Sequence, residues 1–72
     1  MTPEQAYWKA YDAVNRLPEI EDVIMTSPWY SYLYAEFVIN NKLPEKMHNM
    51  MMLHAIEDPN NSFVKEYFEF IK

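Results

Sequence analysis

At 72 residues the chain suits one small domain, and it has no cysteine and no cluster of metal ligands that could staple such a fold. Its net charge of −5 is spread along the sequence, which disfavours direct binding to nucleic acid. Half of the residues are hydrophobic, so we expect residues 1–72 to form a single helical domain stabilised by packing.

The first helix is predicted from its capping residues. Thr2 precedes a proline, and Gln5 stands where it can return a hydrogen bond to the backbone of Thr2, which is the capping-box pattern. We expect this helix to end near Asn15, because Leu17 precedes Pro18 and a residue before proline avoids the α region. A short helix is predicted after Pro18.

The third predicted helix is the most apolar segment and the expected centre of the fold. Ser27 can cap its first N–H groups, and Pro28 has a backbone angle that suits the first helical position. Asn40 and Asn41 tolerate the left-handed turn that ends a helix. Apolar residues cover more than half of its circumference, which is typical of a helix surrounded by others.

Two more helices complete the prediction. One follows Pro44 and runs through a methionine-rich stretch to about Ile56, and the other is expected to start at Asp58 and Pro59. The sequence therefore predicts an all-α fold, either a compact five-helix bundle or a small helical repeat, with each helix starting at a proline. The predicted core contains Tyr7, Val14, Val23, Ile24, Tyr34, Phe37, Val38, Phe63, Tyr67 and Phe70.

Parts of the sequence recur. Pro3, Pro28 and Pro59 each follow a capping residue and precede an aromatic residue by four positions, and Leu-Pro-Glu occurs at 17–19 and at 43–45. Together with the Tyr-x-Tyr-Ala and Val-Ile segments of the central helix, this pattern resembles tandem proline-started helical repeats of phage and bacterial proteins of unknown function. The resemblance implies a phage-like origin and brings no catalytic residues.

Candidate partner-binding residues come from helical phase. Trp8 and Trp29 both fall outside the apolar faces of their helices, and Leu33 and Glu36 lie beside Trp29. Exposed tryptophans are frequent anchors of protein interfaces. The alternative is that a neighbouring helix covers each of them.

The acidic residues Glu19, Glu21 and Asp22 form a second candidate surface. They are expected either to be a solvated face that complements a helix dipole or to dock onto a basic surface of a partner. Docking of this kind would make the chain an acidic mimic of nucleic acid.

The methionine-rich helix is apolar on two sides. Met47, Met50 and Met51 share one side, whereas Met52, Leu53 and Ile56 lie on another. In a chain this small one side is expected to pack in the core, and the other to be available to a partner or a second copy.

The sequence offers little for catalysis. His48 and His54 are six positions apart and project about 120° from each other on a helix, so they cannot chelate one metal ion. We therefore predict no catalytic, metal or cofactor site.

The predicted function is that of a non-enzymatic module that binds a host or phage protein, for example an anti-defence or anti-CRISPR protein. Alternatives are a self-associating structural protein, such as a homodimer, and an acidic nucleic-acid mimic. No signal peptide or membrane span is predicted, so a cytoplasmic location is expected.

Overall fold

The computed structural model describes residues 1–72, and its secondary structure is entirely helical. The five α-helices, in chain order, are α1 Pro3–Ala13, α2 Glu21–Ile24, α3 Pro28–Leu33, α4 Glu45–Glu57 and α5 Ser62–Phe70. A 3-10 turn at Pro18–Ile20 precedes α2, and a π-helix at Tyr34–Ile39 continues α3. The predicted all-α fold of five helices is therefore confirmed.

Side chains cap the starts of α1, α3 and α5, whereas α2 and α4 have no side-chain cap. The capping box of α1 is formed, since the Gln5 N–H donates to Thr2 Oγ1 (3.2 Å) and the Thr2 N–H donates to Gln5 Oε1 (3.0 Å). Ser27 caps α3 by accepting from the Tyr30 N–H. The expectation that each helix starts at a proline holds for α1 and α3. α4 starts at Glu45, directly after Pro44, and α2 starts at Glu21, after the 3-10 turn that begins at Pro18. The expectation is wrong for α5. That helix starts at Ser62 and is capped by Asn61, not by Asp58.

Two helices end in a left-handed residue. Asn40 has φ 57° after the π-helix, as expected for an asparagine at that position. Val14 has φ 50° and ends α1 at Ala13, two residues before the predicted end at Asn15. A β-branched residue is costly in this region, so the backbone bonds from Val14 to Ala10 and Tyr11 offset a local strain.

The helices pack as a compact bundle. Its Cα radius of gyration is 11.0 Å, close to the value of about 11 Å expected for a compact chain of this length. α3 packs against α1, α4 and α5, so the segment that the sequence marked as central contacts three other helices. No helix has the length and apolar character that would let it cross a bilayer.

The core draws on α1, α2, α4 and α5 and on the π-helix that continues α3. Of the predicted members, Tyr7, Ile24, Tyr34 and Tyr67 are buried, and Val23, Val38 and Phe70 are partly buried and pack against the core. The full set of buried hydrophobic residues is Ala6, Tyr7, Ala10, Ile20, Ile24, Tyr34, Ala35, Leu43, Met47, Met51, Val64 and Tyr67.

Two predicted core residues are exposed. Val14 is 85% exposed because it stands at the end of α1, where the left-handed turn points its side chain away from the bundle. Phe37 is 57% exposed because it lies in the π-helix. In a regular α-helix, the side chains of Phe37 and the buried Tyr34 would lie about 60° apart around the helix axis. The wider turn of a π-helix increases this angle and rotates Phe37 away from Tyr34.

The two Leu-Pro-Glu turns are held in the same way. The Leu17 N–H donates to the hydroxyl of Tyr34 (3.0 Å), and the Leu43 N–H donates to the hydroxyl of Tyr67 (3.1 Å). Each hydroxyl has a second polar contact, with Glu21 for Tyr34 and with His48 for Tyr67. A buried tyrosine from a later helix thus fixes each turn.

Candidate functional site

An open apolar groove lies between α1 and the segment formed by α3 and the π-helix. Its volume is about 240 Å³, and it is lined by five side chains, all aromatic or aliphatic: Tyr7, Trp8, Tyr11, Leu33 and Phe37. We call these five residues the aromatic groove. Such a lining can bind apolar groups by removing them from water.

α1 supplies the aromatic wall of the groove. Tyr7 and Tyr11 are one turn apart, so both point towards the same neighbour, and Tyr7 is buried. Trp8 packs edge-on against both of them, with ring centroids 5.0 Å from Tyr7 and 5.3 Å from Tyr11. These contacts restrict the motion of the three rings, so a ligand that binds to this wall loses little affinity to the ordering of side chains.

The opposite wall depends on the change of helix type. Leu33 is the last residue of α3, and Phe37 follows four positions later within the π-helix. π-helical turns occur frequently at functional sites because they redirect side chains. Here the turn places a phenylalanine in the groove that regular α-helical geometry would have brought closer to the core.

The helical segments that form the groove carry carboxylates. Glu4, Trp8 and Asp12 form one row on α1 at intervals of four residues, so an acid lies one turn before the indole and another one turn after it. On the opposite side, hydrogen bonding to Glu36 raises the pKa of Tyr32 to about 12. Burial, together with the charge of Glu36 and of other neighbours, raises the pKa of Tyr7.

The structure brings together some of the predicted partner-binding residues. Trp8 and Leu33 line the same groove, with Glu36 near it, although the sequence placed Trp8 apart from the other two. Trp29 lies elsewhere. Its ring stacks on Tyr30 (4.9 Å between centroids) and on Phe63 (5.5 Å), so α5 covers one face of it.

Three of the five groove residues are not among the predicted partner-binding residues; one of them, Tyr7, is a predicted core residue and is buried. A second is Tyr11, whose position three residues after Trp8 indicates that the two side chains are neighbours on α1. Phe37 was assigned to the core, and no sequence signal for the π-helix was recognised.

The acidic residues do not share one exposed face. Glu21 is buried, and its carboxylate accepts hydrogen bonds from Arg16 Nε (2.7 Å) and from the Tyr34 hydroxyl (2.7 Å). Asp22 and Glu19 are both exposed, and Asp22 forms an ion pair with Lys46. Glu21 is therefore a structural residue, and the expectation that it belongs to an acidic docking surface is corrected.

The histidines take part in separate contacts. His48 Nδ1 lies 2.7 Å from the Tyr67 hydroxyl, and His54 Nε2 lies 3.1 Å from the carbonyl oxygen of Met25. Burial, with a smaller effect of Lys42, lowers the pKa of His48. No group of three or more His, Asp or Glu side chains is arranged to hold a metal ion.

The methionine-rich helix has one buried and one exposed apolar side. Met47 and Met51 are buried in the core, whereas Met52, Leu53 and Ile56 face solvent, and Ile56 is 77% exposed. We call these three exposed residues the α4 face.

Comparisons with known proteins gave no match. This holds for protein-family models, for curated proteins and for solved structures.

Proposed function

We propose that this chain is a non-enzymatic module that binds another protein through the aromatic groove. The observation that carries the proposal is the convergence of Trp8, Tyr11, Leu33 and Phe37, from two helical segments, on one open and predominantly apolar depression. Trp8 is 49% exposed and Phe37 is 57% exposed, so both have surface available to a partner. Large aromatic side chains in a preformed pocket are the usual anchors of protein interfaces.

The size of the groove supports a side chain as its occupant. At about 240 Å³ it is smaller than the sites of about 300–1,000 Å³ that enclose drug-sized molecules. One or two large apolar side chains of a partner fit this volume.

The two tryptophans provide a matched test. Trp8 and Trp29 are 49% and 47% exposed, but only Trp8 lines the groove. In affinity capture from a bacterial lysate, we expect Trp8→Ala to lose a partner that the unchanged protein and Trp29→Ala both retain. Loss by about tenfold or more corresponds to the removal of an interface anchor.

Two results would contradict the proposal. One is equal capture by Trp8→Ala and the unchanged protein, and the other is equal loss with both tryptophan variants. Circular dichroism of each variant shows that a loss of capture is not a loss of fold.

The resemblance to phage and bacterial helical repeats supports a concrete form of this function. We propose a small phage accessory protein, acting in the cytoplasm of the host, that inhibits or modifies a host machine, for example an anti-defence or anti-CRISPR protein. Identification of the captured protein by mass spectrometry tests this form. A partner unrelated to such a machine would contradict it and leave the groove proposal standing.

The α4 face favours a second candidate function. Met52, Leu53 and Ile56 form an exposed apolar surface on a different helix from those that line the groove. Exposed apolar patches frequently mark protein interfaces. A second copy of the chain could cover this face, as in a self-associating structural protein.

A further inference from the structure

The groove carries information about the chemistry of its occupant. Its walls are two helices, each of which presents large side chains one turn apart: Tyr7 and Tyr11 on α1, Leu33 and Phe37 on the other side. An incoming helix repeats its side chains at the same interval, so its apolar residues at i, i+3 or i+4, and i+7 match these walls. An extended peptide has no such match, and the fold has no strand for it to pair with.

The charge around the groove is one-sided. The helices that form its walls carry the carboxylates Glu4, Asp12 and Glu36 and a single cation, Lys9. Lys9 lies about 160° around α1 from Tyr11, so it points away from the groove. Three of the other cations, Arg16, Lys46 and Lys72, are engaged in ion pairs within the chain.

The position of the carboxylates also matters. Glu4 and Asp12 lie one turn before and one turn after Trp8 on α1, and Glu36 directly precedes the groove residue Phe37. A ring bordered by carboxylates attracts Lys or Arg side chains, which pair with the acids and contact the ring face. Acidic groups on a partner would be repelled at the same positions.

We infer that the occupant of the aromatic groove is a basic amphipathic helix of a partner protein. Its large apolar side chains enter the groove, and Lys or Arg residues on both flanks face Glu4, Asp12 and Glu36. The inference rests on the proposed function and adds to it the conformation and the charge of the recognised segment.

The test uses three synthetic 18-residue helical peptides with the same stripe of leucine and phenylalanine. Their flanking positions carry lysine, glutamine or glutamate, and binding is measured by isothermal titration calorimetry at low and at high salt. We expect the lysine peptide to bind tightest, the glutamine peptide about tenfold more weakly and the glutamate peptide weakest. Added salt should narrow these differences.

Matched variants locate the binding. Glu4→Gln with Asp12→Asn removes two charges from the helix that forms one wall of the groove, and Glu19→Gln with Glu57→Gln removes two exposed charges in other parts of the chain. We expect the first pair to weaken the lysine peptide about tenfold and the second pair to change it less than twofold. Phe37→Ser, at an exposed position, should weaken all three peptides.

Several results would overturn the inference. If the glutamine peptide binds as tightly as the lysine peptide and Phe37→Ser weakens both, the groove binds helices without regard to charge, and the proposed function survives. If both charge-removing pairs weaken binding equally, or if Phe37→Ser has no effect, the peptide binds by general attraction to an acidic protein. Absence of saturable binding by the lysine peptide also overturns it. The proposed function fails separately, through capture that is unchanged in Trp8→Ala.

Discussion

The hydroxyl of Tyr34 connects three parts of the chain. It accepts from the Leu17 N–H and donates to Glu21, whose carboxylate also accepts from Arg16. Charge-assisted hydrogen bonds of this kind are among the stronger ones in proteins. One buried side chain of the central helix therefore holds the turn that joins α1 to α2.

Removal of that hydroxyl is expected to be costly. In Tyr34→Phe the Leu17 N–H and the Glu21 carboxylate both lose a partner while they remain shielded from water, so we expect the free energy of unfolding to fall by about 2 kcal/mol. Urea unfolding followed by circular dichroism measures the change. Tyr11→Phe is the control, because Tyr11 is exposed and its hydroxyl makes no hydrogen bond within the chain. Equal effects of the two changes would contradict the role given to Tyr34.

His48 is expected to make the stability depend on pH. The Tyr67 hydroxyl accepts from the Leu43 N–H and lies 2.7 Å from His48 Nδ1, to which it can donate its proton when the histidine is neutral. Because burial and Lys42 lower the pKa of His48, the unfolded chain binds a proton more readily than the folded chain. The stabilising effect is thus complete above the unfolded pKa of about 6.5 and is lost as the pH falls below it.

Urea unfolding at a series of pH values between 5 and 8 tests this expectation. The free energy of unfolding should decrease below about pH 6.5 with a slope of at most about 1.4 kcal/mol per pH unit for this one group. His48→Gln should flatten the dependence of the free energy of unfolding on pH in that range, whereas His54→Gln should leave this dependence unchanged. A slope that persists in His48→Gln would assign the effect to another group.

At the scale of the helices, two residues are candidates for the N-cap of α5. The sequence favours Asp58, which precedes a proline, but the Asn61 side chain accepts from the N–H groups of Phe63 (2.9 Å) and Val64 (3.2 Å). We expect Asn61→Ala to lower the free energy of unfolding by about 1 kcal/mol and Asp58→Ala to change it by less than half of that. Thermal unfolding monitored at 222 nm measures both, and a larger effect of Asp58→Ala would contradict this assignment.

The helices could largely be predicted from local signals. Capping pairs such as Thr2 with Gln5, and the stop at Asn40, depend on neighbours in the chain, which the sequence displays directly. Asn61 was missed because both it and Asp58 are good capping residues, and the choice between them depends on how α5 packs.

The site was harder to predict, because it depends on distant residues and on helix type. Trp8 and Leu33 were each selected by helical phase, but only the packing of α1 against the central helix shows that they share a groove. Phe37 was misplaced because a period of 3.6 residues does not describe a π-helix. The burial of Glu21 depends on Tyr34, thirteen residues away, and a charge pattern does not contain that information.

At the scale of the whole molecule, the net charge and the α4 face act in opposite directions. A charge of −5 repels a second copy, whereas Met52, Leu53 and Ile56 gain by being covered. We therefore expect weak self-association that increases with protein concentration and with salt, since salt screens the repulsion.

Sedimentation equilibrium measures this association. The double variant Leu53→Glu with Ile56→Glu should abolish the association. Both residues are exposed, so we expect this variant to stay folded. A monodisperse monomer at high concentration and high salt would contradict the second candidate function. It would leave the groove unaffected, because the α4 face lies on a different helix.

The different surroundings of the two tryptophans have a spectroscopic consequence. Trp29 is stacked on Phe63 of α5, so its emission reports whether α5 is docked, whereas Trp8 lies in the groove, and its emission should shift to the blue when a partner excludes water. A Trp29→Phe variant would therefore carry a single tryptophan, at the proposed binding site. With this one natural residue, binding can be followed without any attached label.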